Sequence, residues 1–154
     1  MRRMRSTLVL LGVVVCACAK KEEAPAAETA AAAPAALTAA MSAGTWDGKT
    51  MTSPGDSVTN TWTSFIAADG SGRLVITGST DTVSFTSTFD ADSSMATSSA
   101  YNDPNLPAGS PQVMWTSVGR MVGEGKMAGT VKIHPAAKPD SVVTSLRWES
   151  TRRP

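Results

Sequence analysis

The chain has 154 residues, with 14 Lys and Arg against 13 Asp and Glu, so its formal net charge is +1. Residues 42–154 contain nine Lys and Arg against ten Asp and Glu, which excludes the basic surface that holds nucleic acid by charge. The same residues contain 28 large apolar side chains against 33 Ser and Thr. These can cover one face of a sheet but not two, which argues against a doubly wound α/β domain.

The first segment is a basic stretch, residues 1–5, followed by an apolar run over residues 7–19. Thirteen helical residues extend only about 20 Å, whereas the hydrocarbon core of a bilayer is about 30 Å thick. The run is therefore predicted to be the helix of an export signal rather than a membrane span.

The apolar run ends in Val15, Cys16, Ala17 and Cys18, which contain both cysteines of the chain. This sequence resembles the bacterial lipobox, which implies cleavage before Cys18 and a diacylglyceryl group on its thiol. We expect a protein held at a membrane by the acylated Cys18, in the cell envelope. By the same resemblance, Ala19 favours the outer membrane or periplasmic face. A secreted protein cut at residues 17–19, or an uncleaved anchor, are the alternatives.

The next segment, residues 19–43, is predicted to be a flexible linker. Twelve of the 23 residues from 19 to 41 are Ala, interrupted by Pro25 and Pro34. A helical turn or two could form over residues 35–41, but no apolar stripe would hold them against the domain. The organisation is then signal and lipidated Cys over 1–18, linker over 19–43, and one folded domain over 44–154.

The folded domain alternates apolar and polar residues with period two, which is typical of half-buried strands. Turn-forming clusters of Gly, Pro, Asp and Ser separate the apolar runs. Eight strands are predicted, over residues 45–52, 58–66, 73–77, 83–89, 95–101, 113–121, 127–133 and 142–148. The fold class is all-β, a single eight-stranded antiparallel meander that forms an up-and-down barrel or a curved sandwich. The one long connection, 102–111, contains three prolines and is predicted to be a functional loop or lid.

Gly44, Thr45 and Trp46, at the first strand, resemble the Gly-x-Trp opening of lipocalins and related eight-stranded barrels. In that family an Arg near the last strand packs over the Trp, and the resemblance assigns this part to Arg147 or Arg152.

Six residues are candidate contacts for a ligand or a partner. They are Trp46, Trp62, Trp115 and Trp148, which could stack on a flat or apolar ligand, together with Tyr101 and Leu106. Because so few large apolar residues are available, filling the barrel or closing its ends is the expected role of the four Trp.

No catalytic residue, metal ligand or cofactor-binding motif is predicted. His134 is the only histidine, and with no Cys in the domain it cannot build a transition-metal site. We expect it at the surface. There is no Gly-x-Ser-x-Gly and no acid–His pairing that could activate a serine, so the chain is not expected to be an enzyme.

The sequence favours a lipid-anchored interaction module of the cell envelope. We expect a protein partner there, with this protein as an accessory subunit of a membrane complex. The alternative is a lipocalin-like carrier of a small apolar ligand. That alternative requires an unfilled barrel, since eight strands leave room for one small ligand or for the barrel's own side chains.

Overall fold

A computed structural model describes residues 37–154. This part of the chain contains a short helix and eight strands: α1 (Ala39–Ser42), β1 (Gly44–Met51), β2 (Val58–Ile66), β3 (Ser71–Ile76), β4 (Val83–Phe89), β5 (Ser94–Ser98), β6 (Val113–Gly123), β7 (Lys126–Pro135) and β8 (Thr144–Arg152). The predicted signal and lipidation site at residues 1–18, and the predicted linker as far as residue 36, lie outside the described residues.

The eight strands form one closed antiparallel barrel in which each strand pairs with the next. β8 returns to pair with β1, from Met51 opposite Arg147 to Trp46 opposite Arg152. The predicted all-β, eight-stranded meander is confirmed, and of its two possible forms the up-and-down barrel is the one present. Closure removes the unpaired sheet edges that a sandwich would expose.

Strand formation follows the period-two pattern of the sequence. In β4, Val83 and Phe85 are buried while Ser84 and Thr86 are exposed. Successive side chains of a strand point to opposite faces, so one set faces the barrel interior and the other faces solvent.

The predicted last strand is displaced in the structure. Val142 lies in the loop that precedes β8, and the strand continues to Arg152. Hydrogen bonds from Lys138 N to Pro135 O and from Ser141 N to Lys138 O extend the turn before β8. The strand therefore begins later in the sequence than predicted. The alternating pattern did not show where β8 ends, because that end is set by pairing with β1, which is distant in the sequence.

The up-and-down order places the connections alternately at the two ends of the barrel. We refer to the end formed by connections 52–57, 77–82, 99–112 and 136–143 as the mouth. We call closed end the opposite one, formed by connections 67–70, 90–93 and 124–125 together with residues 37–43. The predicted loop, 102–111, thus belongs to the mouth.

Residues 37–43 pack on the closed end, and the prediction of a mobile linker is wrong for them. Leu37 is only 5% exposed and clusters with Trp46 and Met127. The backbone N–H of Leu37 donates to the carbonyl of Ala91 at 2.9 Å. The Thr38 hydroxyl accepts from the N–H of Met41, capping α1. One buried apolar side chain, a hydrogen bond from the Leu37 N–H and one to the Ser42 carbonyl dock the segment, without an apolar stripe.

Candidate ligand-binding site

The barrel encloses a cavity of about 670 Å³, to which every strand contributes inward-facing side chains. This volume lies within the range of about 300–1,000 Å³ that is usual for small-molecule sites. Aromatic and aliphatic side chains dominate the lining, with serine hydroxyls between them. The aromatic lining residues are Trp46, Trp62, Phe85, Phe89, Tyr101, Trp115 and Trp148. The barrel interior is therefore not filled by its own side chains.

Inward-facing glycines let the large rings lie flat against the barrel wall. A Cβ at Gly48 would lie 2.3 Å from the Trp62 ring, and one at Gly119 would lie 2.3 Å from the Trp148 ring. The same holds for Gly72 under Phe85, at 2.2 Å. These distances are far below van der Waals contact, so only glycine leaves room for each ring. The rings are held at the wall and the centre of the lumen stays open.

The aromatic rings form two pairs. Trp62 and Trp148 meet edge to face, with centroids 6.4 Å apart and an interplanar angle of 63°. Phe85 and Trp115 are tilted by 48° at 5.5 Å. Both geometries are those in which ring quadrupoles attract. Two aromatic surfaces thus face the cavity.

The closed end is sealed by Leu37, Trp46 and Met127, which form one buried cluster. The indole N–H of Trp46 donates to the carbonyl of Ser42 at 2.8 Å, which ties the ring to the end of α1. A ligand therefore has no entry at this end.

The mouth is lined by residues of the long β5–β6 connection. Tyr101 is fixed there by an isolated bridge to Val113, with two backbone hydrogen bonds whose N···O distances are 2.9 and 3.0 Å. Asp103, Asn105 and Leu106 follow and also line the cavity. Because Asn105 and Leu106 are exposed, the lumen meets solvent beside this loop.

One ionisable pair lies at the mouth. Burial, and then the neighbouring Asp103 carboxylate, raise the pKa of the Tyr101 phenol well above its usual value. Tyr101 is therefore a neutral phenol at physiological pH. The Asp103 carboxylate oxygen Oδ1 accepts from the backbone N–H of Asn105 at 2.9 Å and from its side-chain amide at 2.8 Å.

The structure brings all six predicted contact residues to the same cavity: Trp46, Trp62, Tyr101, Leu106, Trp115 and Trp148. Trp46 closes one end, which is the core role that we expected of the four Trp. Trp62 and Trp148 differ from that expectation. They are only partly buried although they point inward, because the lumen beside them is open.

Of the two arginines that the lipocalin resemblance proposed for Trp46, Arg147 lies at the wrong end. It contacts the Asp56 carboxylate and the Gly55 carbonyl at the mouth. Arg152 is paired with Trp46 across β1 and β8, and its guanidinium approaches Gly44 and the Met41 carbonyl. Gly44 has φ +132°, and a Cβ there would lie 3.0 Å from the Arg152 side chain, so this position requires glycine.

His134 is buried, and the prediction of a surface residue is wrong. It is 7% exposed on the outer side of β7, where its Nε2 lies 2.9 Å from the hydroxyl of Thr116 on β6. Its position beside Pro135 suggested a strand end in solvent. The strand instead continues to Pro135 and the β7–β8 connection follows directly.

Sequence reasoning missed two features of the lumen. One is the set of glycines on which aromatic rings rest, Gly48, Gly72 and Gly119, which we call the glycine seats. The other is the set of buried serines. Ser64, Ser94 and Ser150 are buried and line the cavity. A glycine at an inward-facing position of one strand, with an aromatic residue facing inward on a strand near it, is the signal that could have revealed the seats. Using that signal requires the strand register, which the sequence does not provide.

Within residues 37–154, no group of three or more His, Cys, Asp or Glu side chains could hold a metal ion. No helix in this part of the chain is long and apolar enough to cross a membrane.

Comparison of the chain with protein-family models, with curated proteins and with solved structures finds no match. The lipoprotein and lipocalin resemblances therefore stay predictions, and the geometry of the barrel is the observation that bears on function.

Proposed function

We propose that the protein binds a small, mainly apolar molecule inside its barrel. The observation that carries this proposal is the cavity of about 670 Å³ with its aromatic and aliphatic lining. Transfer of apolar ligand surface from water to such a lining is favourable by about 25 cal/mol per Å². Of the two functions expected from the sequence, this is the carrier.

The glycine seats support the proposal because they keep the lumen open. A large side chain that could rotate into the lumen would occupy part of it. Trp62 over Gly48, and Trp148 over Gly119, are instead held at the wall. The indole N–H of Trp148 also donates to the carbonyl of Thr130 at 3.2 Å, which fixes its ring further. Such a preformed site avoids part of the entropy loss on binding.

The test is to fill the lumen without changing the outer surface. Ser117 lines the cavity, whereas its neighbour Val118 points outward and is exposed. We expect Ser117→Trp to weaken binding of the neutral fluorescent probe N-phenyl-1-naphthylamine at least tenfold, and Val118→Trp to leave it unchanged. Circular dichroism checks that both variants are folded. Equal binding by both variants, or no binding by the unmodified chain, would refute the proposal.

We also propose that acyl chains on Cys18 hold the protein at a membrane of the cell envelope, with the outer membrane or periplasmic face as its location. The support is the lipobox resemblance and the presence of both cysteines in that segment. Cys18→Ala should move the protein from the membrane fraction to the soluble fraction, whereas Cys16→Ala should not. Membrane retention of the Cys18 variant would contradict the anchor.

The expected role as an interaction module, an accessory subunit of a membrane complex, is favoured by one observation. Met95 and Val118 are cross-strand neighbours on the outer face of β5 and β6 and are 60% and 48% exposed. An exposed apolar pair of this kind suits a protein contact. Extraction in mild detergent followed by native mass spectrometry should find a larger assembly that Met95→Ser with Val118→Ser dissociates. Monomeric protein in every extract would rule this role out.

A further inference from the structure

The charges around the cavity are distributed unevenly. Among the described residues that line it, none is Lys, Arg or His. Asp103, at the mouth, is the one Asp or Glu among them. Tyr101 beside it stays a neutral phenol because burial and the Asp103 carboxylate oppose its ionisation. Among the described lining residues, the charged group that a bound molecule meets is therefore a carboxylate.

No strand cation is among the described residues that line the cavity, and most of the strand cations face outward. Arg152, which pairs with the inward-facing Trp46, lies at the closed end and is not part of the lining. Lys49 pairs with Glu149 at 3.4 Å, and Arg73 stacks over the Phe65 ring at 6.0 Å, on the outer face of the barrel. Arg153 makes a two-pronged contact with Asp47, also outside. Because alternate residues of a strand face opposite sides, Lys49 and Arg73 cannot turn inward without breaking the pairing of their strands. An anionic group in the lumen would therefore find no cation among the described lining residues.

Asp103 is positioned to accept hydrogen bonds from a ligand. Its Oδ1 accepts both bonds from Asn105, and neither of them ends on Oδ2. The turn holds the carboxylate at the rim of the cavity, where Tyr101 is fixed to β6 by its bridge to Val113. Oδ2 is therefore not engaged by Asn105 and can accept from a donor at the outer end of a bound molecule.

The aromatic surfaces add to this preference for positive charge. Trp62 and Trp148 on one side, and Phe85 and Trp115 on the other, direct ring surfaces toward the cavity. The face of an aromatic ring attracts a cation through its quadrupole, most strongly for Trp and most where water is excluded.

From this geometry we infer that the ligand is a cationic amphiphile: an apolar body that fills the lumen and carries an amine or quaternary ammonium group toward Asp103. This inference deepens the proposed function and rests on it. A cavity that accepted fatty acids or other carboxylates would be expected to place a cation among its lining residues, and this one places an anion there.

The test uses three probes that share one ring system and differ in charge: 1-pyrenemethylamine, 1-pyrenemethanol and 1-pyrenecarboxylate. Energy transfer from the tryptophans to pyrene reports binding to the full-length chain in lipid nanodiscs, with empty nanodiscs as the blank. We expect the amine to bind at least tenfold more tightly than the carboxylate, with the alcohol between them. Asp103→Asn should weaken binding of the amine and leave binding of the alcohol unchanged.

Asp140→Asn is the matched control, because Asp140 lies in a mouth connection but does not line the cavity. This variant should keep the preference for the amine. Equal binding of all three probes, or tighter binding of the carboxylate, would overturn the charge inference while the proposed binding function survived. Failure of all three probes to bind would overturn both.

Discussion

The two ends of the barrel use apolar side chains in opposite ways. At the closed end, Trp46 is 1% exposed and is covered by Leu37 and Met127. At the mouth, Leu106 and Val143 are 43% and 64% exposed although both line the cavity. The same type of residue therefore stabilises the fold at one end and remains available to a ligand at the other.

The difference follows from where the chain enters. Residues 37–43 precede β1 and lie directly across the closed end, where Trp46 fixes them through the Ser42 carbonyl. The connections at the mouth join strands but place no comparable plug. A barrel with one sealed end and one open end is what a binding site needs, since ligand can enter while the core remains intact.

The largest expected loss of stability comes from a substitution at the closed end. Trp46→Ala should lower the free energy of unfolding by about 3–5 kcal/mol, the usual loss for a fully buried Trp. Trp62→Ala, which removes a half-buried ring at the lumen wall, should lower it by less than about half of that amount. Denaturant unfolding of both variants measures the contrast. Equal losses would show that the two regions do not differ as the structure indicates.

The next effect concerns the glycine seats. Gly119→Ala places a methyl group where the Trp148 ring lies, so the ring must move toward the lumen. We expect a loss of about 1–3 kcal/mol in unfolding free energy, together with weaker probe binding. Gly123→Ala is the control, because the nearest atom to its added Cβ is 4.0 Å away. If Gly119→Ala bound the probe normally, the seat would not be what keeps the lumen open.

A smaller effect on stability is expected at alkaline pH, from Tyr101 at the mouth. The folded state raises the pKa of Tyr101, so it holds the phenol proton at pH values where the unfolded chain loses it. Stability from this residue is present below the unfolded pKa of about 10 and declines as pH rises above it.

Tyr101 is the only tyrosine in the chain, so phenolate absorbance follows it without interference. Ionisation should appear only well above the usual range, and Asp103→Asn should bring it to lower pH. Tyr101→Phe should remove the contribution to the alkaline loss of stability. An ordinary phenol titration in the folded protein would contradict the burial of this side chain.

The smallest effect is on the outer surface. Arg153, aided by the Thr63 hydroxyl, holds the pKa of Asp47 below its ordinary value of 3.8. Arg153→Ala should return the pKa of this carboxyl toward 3.8, as followed by NMR titration. Because both side chains lie in solvent, thermal unfolding at neutral pH should change little. A large loss of stability would mean that this contact closes the barrel seam.

The sequence predicted the strands well and the interior poorly, for a physical reason. The period-two alternation in β4, from Val83 to Phe89, is local information and identifies a strand without its partners. Whether Trp148 fills the lumen or lies against Gly119 depends on two strands that are distant in the sequence. Register across the closed barrel decides it, and no local pattern encodes that register.

The docked segment at residue 37 was missed for a similar reason. In sequence, Leu37 is one apolar residue in an alanine-rich stretch. Its burial depends on Met127 and Trp46, which only the closed barrel brings together. The mouth loop was identifiable, because its length and three prolines set it apart from the short hairpins.

The most direct test is a crystal structure of the protein soaked with 1-bromonaphthalene, an uncharged ring compound whose bromine is located by anomalous scattering. We expect a bromine peak inside the barrel, between the Trp62–Trp148 pair and the Phe85–Trp115 pair. A lumen filled by the protein's own side chains, with bromine only on the outer surface, would contradict it.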